Sequence, residues 1–308
     1  MKKPSSVMIL MKNKLELFQR QHLPVLNRYL EKYLTKLEGE QTLKDAMLYS
    51  VAAGGKRIRP LLIMAICSEA DQQIDTNVYA VASSLELLHT YSLIHDDLPE
   101  MDNDDLRRGR LTNHKKFGQA IAVLAGDGLL TTAFECLGKT TLSSNVKVRL
   151  MTALAEAAGP QGMVSGQTAD IEGEHKRLSL AQLQQLHQHK TGALINYACY
   201  AGCVLGDLSA EKQEQVQRFG ATFGLAFQIY DDILDVVATE DQLGKAVHKD
   251  QSEHKNTYPG LVGLDGAYQH LDAALQQALT SLNILKEMGM STELLNGFLD
   301  YFMRRKKK

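Results

Sequence analysis

Tryptophan is absent from the 308 residues, proline occurs six times and cysteine four. Few prolines leave long stretches free to stay helical, because an interior proline removes a hydrogen bond and clashes with the preceding turn. Cys67, Cys136, Cys199 and Cys203 stand in apolar surroundings without C-x-x-C spacing. Cys199 and Cys203 lie one helical turn apart and could touch, but all four read as small buried hydrophobes of a reduced compartment rather than a disulfide or metal site. An excess of one charge is missing as well: 34 Lys and Arg stand against 36 Asp and Glu, a net charge of −2. That balance excludes the strongly basic footprint of a nucleic-acid binder. The apolar run from Val7 to Met11 is too short for a signal h-region, and no run approaches the ~18 apolar residues of a bilayer span. The expectation is a cytoplasmic protein with no membrane span and no nucleic-acid partner.

What is present is helical periodicity. With 44% apolar residues the chain is too apolar and too neutral for disorder. Leu15, Phe18, Val25, Leu26, Tyr29, Leu30, Tyr33 and Leu34 mark an amphipathic opening helix, with a bend expected at Pro24. A second helix ends at Gly54-Gly55, and Pro60 suits the first turn of a third. Further helices are expected near 77–98, 118–138, 145–158, 160–172, 179–206, 210–238, 260–283 and 291–305. Ala120 to Leu130 carries no charge except Asp127 and is expected in the middle of a large bundle. No sustained period-two alternation marks a strand, and the stretches 109–118 and 239–258 read as charged loops. The fold class is all-α: one domain over residues 1–308, a single large bundle of about ten or more helices.

Two carboxylate clusters decide the chemistry. Asp96, Asp97, Glu100 and Asp102 follow one apolar helix, and Asp231, Asp232 and Asp235 follow another. Asp231 and Asp235 share a helix face one turn apart, where like charges repel unless a divalent cation neutralises them. In the first cluster, a break at Pro99 could swing Asp102 back towards Asp96; an unbroken helix would make Glu100 the one-turn partner instead. Oxygen-only ligands in pairs suit Mg²⁺, which keeps waters and bridges to phosphate oxygens.

Basic elements sit close by. Lys56, Arg57 and Arg59 open a helix after Gly54-Gly55, so backbone N–H groups, the helix dipole and three cations are expected to converge as an anion site. Arg107, Arg108 and Arg110 follow the first acidic cluster, and Lys190, Lys245, Lys249 and Lys255 accompany the second. Arginine forks match phosphate bidentately. One cavity holding two diphosphates, one through metal and one through cations, fits this division.

The chain resembles the trans-isoprenyl diphosphate synthases, most closely the bacterial farnesyl diphosphate synthases. The resemblance rests on GGKRIRP at 54–60, ELLHTYSLIHDDLPEMDNDDLRRG at 86–109, GQTADI at 166–171, HKTGALI at 189–195, FQIYDDILD at 227–235 and KNTYP at 255–259. It implies a helical bundle around a deep central cavity, a homodimer, and condensation of isopentenyl diphosphate with dimethylallyl or geranyl diphosphate to farnesyl diphosphate. It also implies three Mg²⁺ ions, with Mn²⁺ able to substitute, held chiefly by Asp96, Asp102 and Asp231. Asp97, Asp232 and Asp235 would support them directly or through water. Arg107, Lys190 and Lys245, with Lys255 nearby, would grip the allylic diphosphate, and Lys56, Arg59, His89 and Arg108 the isopentenyl diphosphate. Thr191 and Gln228 would shield the carbocation, Lys190 and Arg107 would assist ionisation, and Tyr91 would form the floor that limits chain length, with C10, C15 and C20 products open.

Leu111 stands where the family commonly has proline, and His248 where it has a small residue. The basic end Arg304 to Lys308 reads either as a solvated tail or as a lid over isopentenyl diphosphate. His95-Asp96 with His89 upstream also fits an HD-type metal phosphohydrolase, but that reading leaves the second acidic cluster and the basic turn without a role. A terpene cyclase would carry a different second motif, and a non-catalytic partner subunit would tend to lose one cluster.

Overall fold

Helices form where apolar residues recur at helical spacing, and short polar caps separate them. In the computed structural model, which describes residues 6–174, 176–237 and 256–303, the order begins with α1 (Ser6–Thr35), α2 (Gln41–Val51), α3 (Ile58–Glu69) and α4 (Thr76–Asp96). A two-residue hairpin follows, β1 (Leu106–Arg107) with β2 (Arg110–Leu111), then α5 (Asn113–Phe117), α6 (Gln119–Gly138), α7 (Ser144–Ala158), α8 (Met163–Gly173) and α9 (Leu180–His187). A π-helical turn, Gln188–Gly192, leads into α10 (Ala193–Leu205), α11 (Ala210–Val237), α12 (Tyr258–Glu287) and α13 (Glu293–Met303). Lys245, His248, Lys249, Lys255 and the basic end 304–308 lie outside the described residues.

Side-chain caps fix several starts. Asp75 accepts from the Val78 amide at 3.0 Å at the head of α4. Ser179 and Gln182 form a reciprocal capping box on α9, and Thr257 accepts from the Gly260 amide at 3.2 Å on α12. Each such cap contributes about 1 kcal/mol to its helix.

The core is organised around α3 and α4. Leu61 to Cys67 are all fully buried, and α4 is buried on almost every side from Val78 to Ile94. This corrects the expectation that α6 is central. Its Ala122, Ala125, Leu129 and Ala133 pack inward against α4, while Val123 and Leu124 remain 39% and 52% exposed. An apolar helix can spend part of its surface outside the core; α6 presents that part to the surface. By length and composition alone, Gln119–Gly138 is long and apolar enough to cross a membrane, as the core helix of a soluble protein also can be, and part of it is buried inside the fold.

Three further differences have local causes. α1 runs through Pro24 as one helix. The hairpin pairs only Leu106 with Leu111 and Arg107 with Arg110, too short to leave a period-two pattern in the sequence. The expected helix over 179–206 is interrupted by the π-helical turn, a device found often at functional sites.

Glu69 ties the C-terminal helix to the core. At the end of α3 and 5% exposed, it accepts a hydrogen bond from the Leu294 amide in the first turn of α13. Burial pushes its carboxyl up to about 8, with the α13 amides and Lys14 pulling down and Glu293 pushing up. A raised carboxyl stabilises the fold fully below its ordinary value of 4.5, and that contribution is lost as pH rises through about 8. Glu69→Gln is therefore expected to flatten the fall of Tm between those two pH values, measured by calorimetry; an unchanged slope would assign the pH dependence to other groups.

Candidate active site

A cavity of about 590 Å³ opens between the ends of α4 and α11, the hairpin, α8 and the π-helical turn. It gathers Asp96, Asp102, Asp231, Asp232, Asp235, Arg59, His89, Arg107, Arg108, Lys190, Thr191, Gln228 and Tyr91. Lys56 and Asp97 do not line it.

The first acidic cluster is shaped by the break at Pro99. α4 ends at Asp96, and the chain turns so that the Asp102 amide donates to the Asp96 carbonyl at 2.9 Å. Asp102 is thereby returned to Asp96, while Glu100 is left exposed. Burial, Asp102 and Asp97 push the Asp96 carboxyl up to about 6, against Lys190 and Arg107. Asp97 is 3% exposed and faces Arg107, whose Nε donates to Oδ1 at 2.7 Å. Burial raises Asp97 to about 6 despite this partner. Arg107 also reaches Asp104 at 3.3 Å, so two carboxylates fix its guanidinium at the cavity edge. Asp97 thus positions Arg107 in this structure.

In the second cluster, Asp231, Asp232 and Asp235 end the apolar part of α11. Asp232 is 4% exposed and accepts from Gln228 Nε2 at 3.1 Å and from the Tyr258 amide at 2.9 Å. Among the described residues, no three His, Cys, Asp or Glu side chains converge tightly enough to hold a metal ion alone. That suits Mg²⁺, which takes one or two carboxylates and completes its shell with waters and phosphate oxygens instead of an all-protein cage. The oxygen-only donor set and the raised Asp96 carboxyl fit a divalent cation on the same grounds.

The basic side is built differently from the expected three-cation turn. Arg57 takes a left-handed backbone with φ 49° and buries its guanidinium, bonding Glu86 at 2.5 Å and the Val51 carbonyl. It holds the turn, and its charge is consumed by Glu86. Lys56 is exposed and donates to the hydroxyl of Tyr301 on α13. Of the expected turn only Arg59 faces the cavity, where it stands beside Arg108 of the hairpin. Arg59 Nη1 meets His89 Nε2 at 3.2 Å, and burial brings its guanidinium down to about 10, still a cation. Burial together with Arg59, Arg108 and Arg107 drives His89 well below 6.5, so its imidazole is neutral. Arg59 can only donate, so His89 accepts at Nε2 and carries its proton on Nδ1. Among the described residues the buried Arg59 Nε has no hydrogen-bond partner. Arg108 donates to the Gly54 carbonyl, and Glu86 is already spent on Arg57, so a corner of two guanidinium groups with one buried donor unmet suits an anion.

Lys190 and Thr191 are delivered by the π-helical turn. Lys190 Nζ lies 2.5 Å from Asp170 of α8, and Thr191 Oγ1 donates to Gln228 Oε1 at 2.9 Å. The turn can approach α8 only because Gly166 lacks a side chain: a Cβ there would lie 2.1 Å from the Lys190 nitrogen. Gly166→Ala sets backbone against backbone and is expected to cut kcat by about 10²-fold through displacement of Lys190 and Thr191. Steady-state kinetics with a Tm control measure this, and near-normal kcat would show that the turn tolerates the shift.

Sequence reasoning left several cavity residues without roles: Asp104, Gln167, Thr168, Asp170, His187, Asn256 and Thr257. Asp170 lies within GQTADI and Asn256 within KNTYP, so both segments were conspicuous while the roles were not. Asn256 donates to the Gly173 and Lys176 carbonyls and accepts from the Leu178 amide at 2.9 Å, fastening the start of α12 to the α8–α9 turn. His95 points to the Val123 carbonyl of α6, with Nε2 3.1 Å away. His89 instead meets Arg59, so the two histidines of the His-Asp reading face different partners.

Residues 40–289 match the family described as polyprenyl synthetase. The chain is 48% identical over 266 residues to a farnesyl diphosphate synthase of Geobacillus stearothermophilus, covering 84% of this chain and 89% of that protein. It is 40% identical over 286 residues to one of Escherichia coli, covering 91% and 95%. A solved geranyltransferase of Helicobacter pylori, complexed with magnesium and isoprenyl diphosphate, superposes with a TM-score of 0.80 at 35% identity over 99% of this chain and 98% of that one. Extent, identity and architecture agree: the chain belongs to the polyprenyl synthetase family.

Proposed function

We propose that the chain condenses isopentenyl diphosphate head-to-tail with dimethylallyl or geranyl diphosphate to give farnesyl diphosphate, as a Mg²⁺-dependent prenyltransferase. The observation that carries this reading is the pairing, in one cavity, of carboxylates from two helix ends with an Arg59–His89–Arg108 corner in which the buried Arg59 Nε has no partner among the described residues. The first set suits a metal-bound diphosphate and the second a diphosphate held by cations alone.

When bound, Mg²⁺ supplies charge stabilisation on the departing diphosphate, and Asp96, Asp102 and Asp231, with Asp235 nearby, would hold it. Arg107 and Lys190 add fixed positive charge as the allylic C–O bond breaks. Asp97, Asp104 and Asp170 keep those two cations in place before substrate arrives. Arg59, Arg108 and the Nδ1–H of neutral His89 orient isopentenyl diphosphate so that its double bond attacks the allylic cation. Thr191 and Gln228 present oxygens to that cation, and the released diphosphate takes the proton. Leu93, Met101, Met163 and Phe227 supply apolar surface in an otherwise polar lining, where they would help keep water from the cation.

The three-ion count, the use of Mn²⁺ and the contributions of Lys56, Lys245 and Lys255 belong to this proposal. So do the homodimer, which the exposed apolar residues Val123 and Leu124 of α6 support, and a cytoplasmic location, which four free buried cysteines support. A single domain over the whole chain belongs here as well. Incubation with Mg²⁺, isopentenyl diphosphate and each allylic starter, followed by chain-length analysis, is expected to give C15 as the main product. A main product of C10 or C20 would reassign the chain length, and no condensation with any starter would defeat the reading.

A further inference from the structure

We propose that Asp232 is a positioning residue rather than a metal ligand: it sets the direction of a hydrogen-bond relay that turns the lone pairs of Thr191 towards the reacting cation. The inference rests on the prenyl-transfer reading above.

Asp232 is 4% exposed, and two N–H donors engage its carboxylate, Gln228 Nε2 at Oδ1 (3.1 Å) and the Tyr258 amide at Oδ2 (2.9 Å). In both of these bonds the Asp232 carboxyl oxygen is the acceptor. The amide nitrogen of Gln228 must therefore face Asp232, which leaves Oε1 facing Thr191. That oxygen in turn takes the Thr191 proton at 2.9 Å. With its proton committed to Gln228, the Thr191 hydroxyl has only lone pairs left for the cavity, which both residues line. Lone pairs stabilise a developing cation; an O–H dipole aimed the other way opposes it.

The surroundings hold the relay in one geometry. His187 is 5% exposed, stacks on Tyr258 with ring centroids 5.8 Å apart, and places Nε2 3.9 Å from Asp232 Oδ2. Thr257 caps the helix that Tyr258 begins, so the donating amide is fixed by α12 itself. Thr191 is held by the π-helical turn and Gln228 by α11. All three participants thus stand on helical backbone that cannot readily re-aim them.

Asp232→Asn reverses the relay. If the new carbonyl keeps the Tyr258 amide, its NH₂ faces Gln228, the Gln228 amide turns over, and the Thr191 proton is released towards the cavity. Adding Gln228→Glu restores the direction, because a carboxylate at position 228 accepts both from the new side-chain amide at position 232 and from Thr191. Three readouts test the proposal: kcat, Tm, and Mn²⁺ affinity by electron paramagnetic resonance with inorganic diphosphate and no allylic substrate. D232N is expected to lower kcat by about 10²-fold with Mn²⁺ affinity unchanged, and D232N/Q228E to recover most of the loss. Weakened Mn²⁺ binding in D232N, comparable with that of D231N, or no recovery in a folded double variant, would overturn the proposal. Should D232N fail to fold, Q228M breaks the relay while leaving Asp232 in place. It is expected to show the same kcat loss at unchanged Mn²⁺ affinity, and wild-type kcat in Q228M would likewise overturn the relay. A wild-type protein without condensation activity would instead defeat the prenyl-transfer reading.

Discussion

Asp96→Asn is expected to leave a folded protein whose kcat drops by about 10³-fold. The charge removed belongs to the cluster in which Asp102 is folded back by the 2.9 Å bond between its amide and the Asp96 carbonyl. Glu100→Gln, a change of the same kind at an exposed position four residues on, is expected to change kcat little. The comparison separates a local requirement from a general acidic field. The pH dependence gives a second, independent reading. Because burial raises the Asp96 carboxyl to about 6, protons compete with the metal as pH falls through that value. Activity at limiting Mg²⁺ should therefore fall below about pH 6 and recover with excess Mg²⁺. In the metal-free protein the sign for stability is opposite. A raised carboxyl costs stability as pH rises through its folded value, so D96N should raise Tm at neutral pH but not well below pH 6. A Tm that falls equally at both pH values would mark Asp96 as a structural residue.

The helices and the acidic motifs were legible in the sequence because both rest on short-range patterns. Apolar residues at helical spacing located α2 to α4, α6 to α8 and α11 to α13 to within a few residues, marked α1 only from Leu15 onwards, and ran α9 and α10 together as one helix. Pro99 correctly offered a break as one of two readings of the first cluster, since a proline constrains its own turn whatever surrounds it. What was not legible depends on partners far along the chain. Lys56, Arg57 and Arg59 are near neighbours in sequence, yet only Arg59 faces the cavity. Arg57 is drawn inward by Glu86 on α4, and nothing local announces that pairing. Asp97 and Asp232 read as metal supports because they adjoin better candidates. Their occupation by Arg107, and by Gln228 with Tyr258, appears only when the hairpin and α12 are in place. The π-helical turn was hidden because its flanks keep the apolar spacing of an ordinary helix; the close approach of α8 at Gly166 that accompanies it joins residues far apart in the chain. α6 shows the converse error, since composition reported apolar residues without reporting which would be covered.

Tyr91→Ala is expected to move the main product from C15 to C20. Tyr91 is 9% exposed, lines the cavity, and lies five residues before Asp96 on α4, on the flank turned towards α6. Its ring meets the His95 ring edge-on, with centroids 5.3 Å apart and planes at 86°. His95 is itself fixed: its Nε2 lies 3.1 Å from the Val123 carbonyl, and its ring fills the space over Gly126, where a Cβ would come within 2.1 Å of Nε2. The Tyr91 ring therefore cannot swing aside to admit a longer chain, and the floor is rigid because a second helix props it. Removing the ring deletes the obstacle without touching a carboxylate or a cation. Large-to-small changes in a packed core cost about 3–5 kcal/mol, and here the cost should be smaller because one side of the ring already faces open space. Chromatography of the dephosphorylated products, together with a Tm measurement, distinguishes the two roles open to this residue. A modest fall in Tm with C20 as the main product identifies a chain-length floor. A large fall with C15 retained would identify a core tyrosine that happens to border the cavity, and the length limit would then have to lie deeper, among residues beyond the reach of the α4 flank.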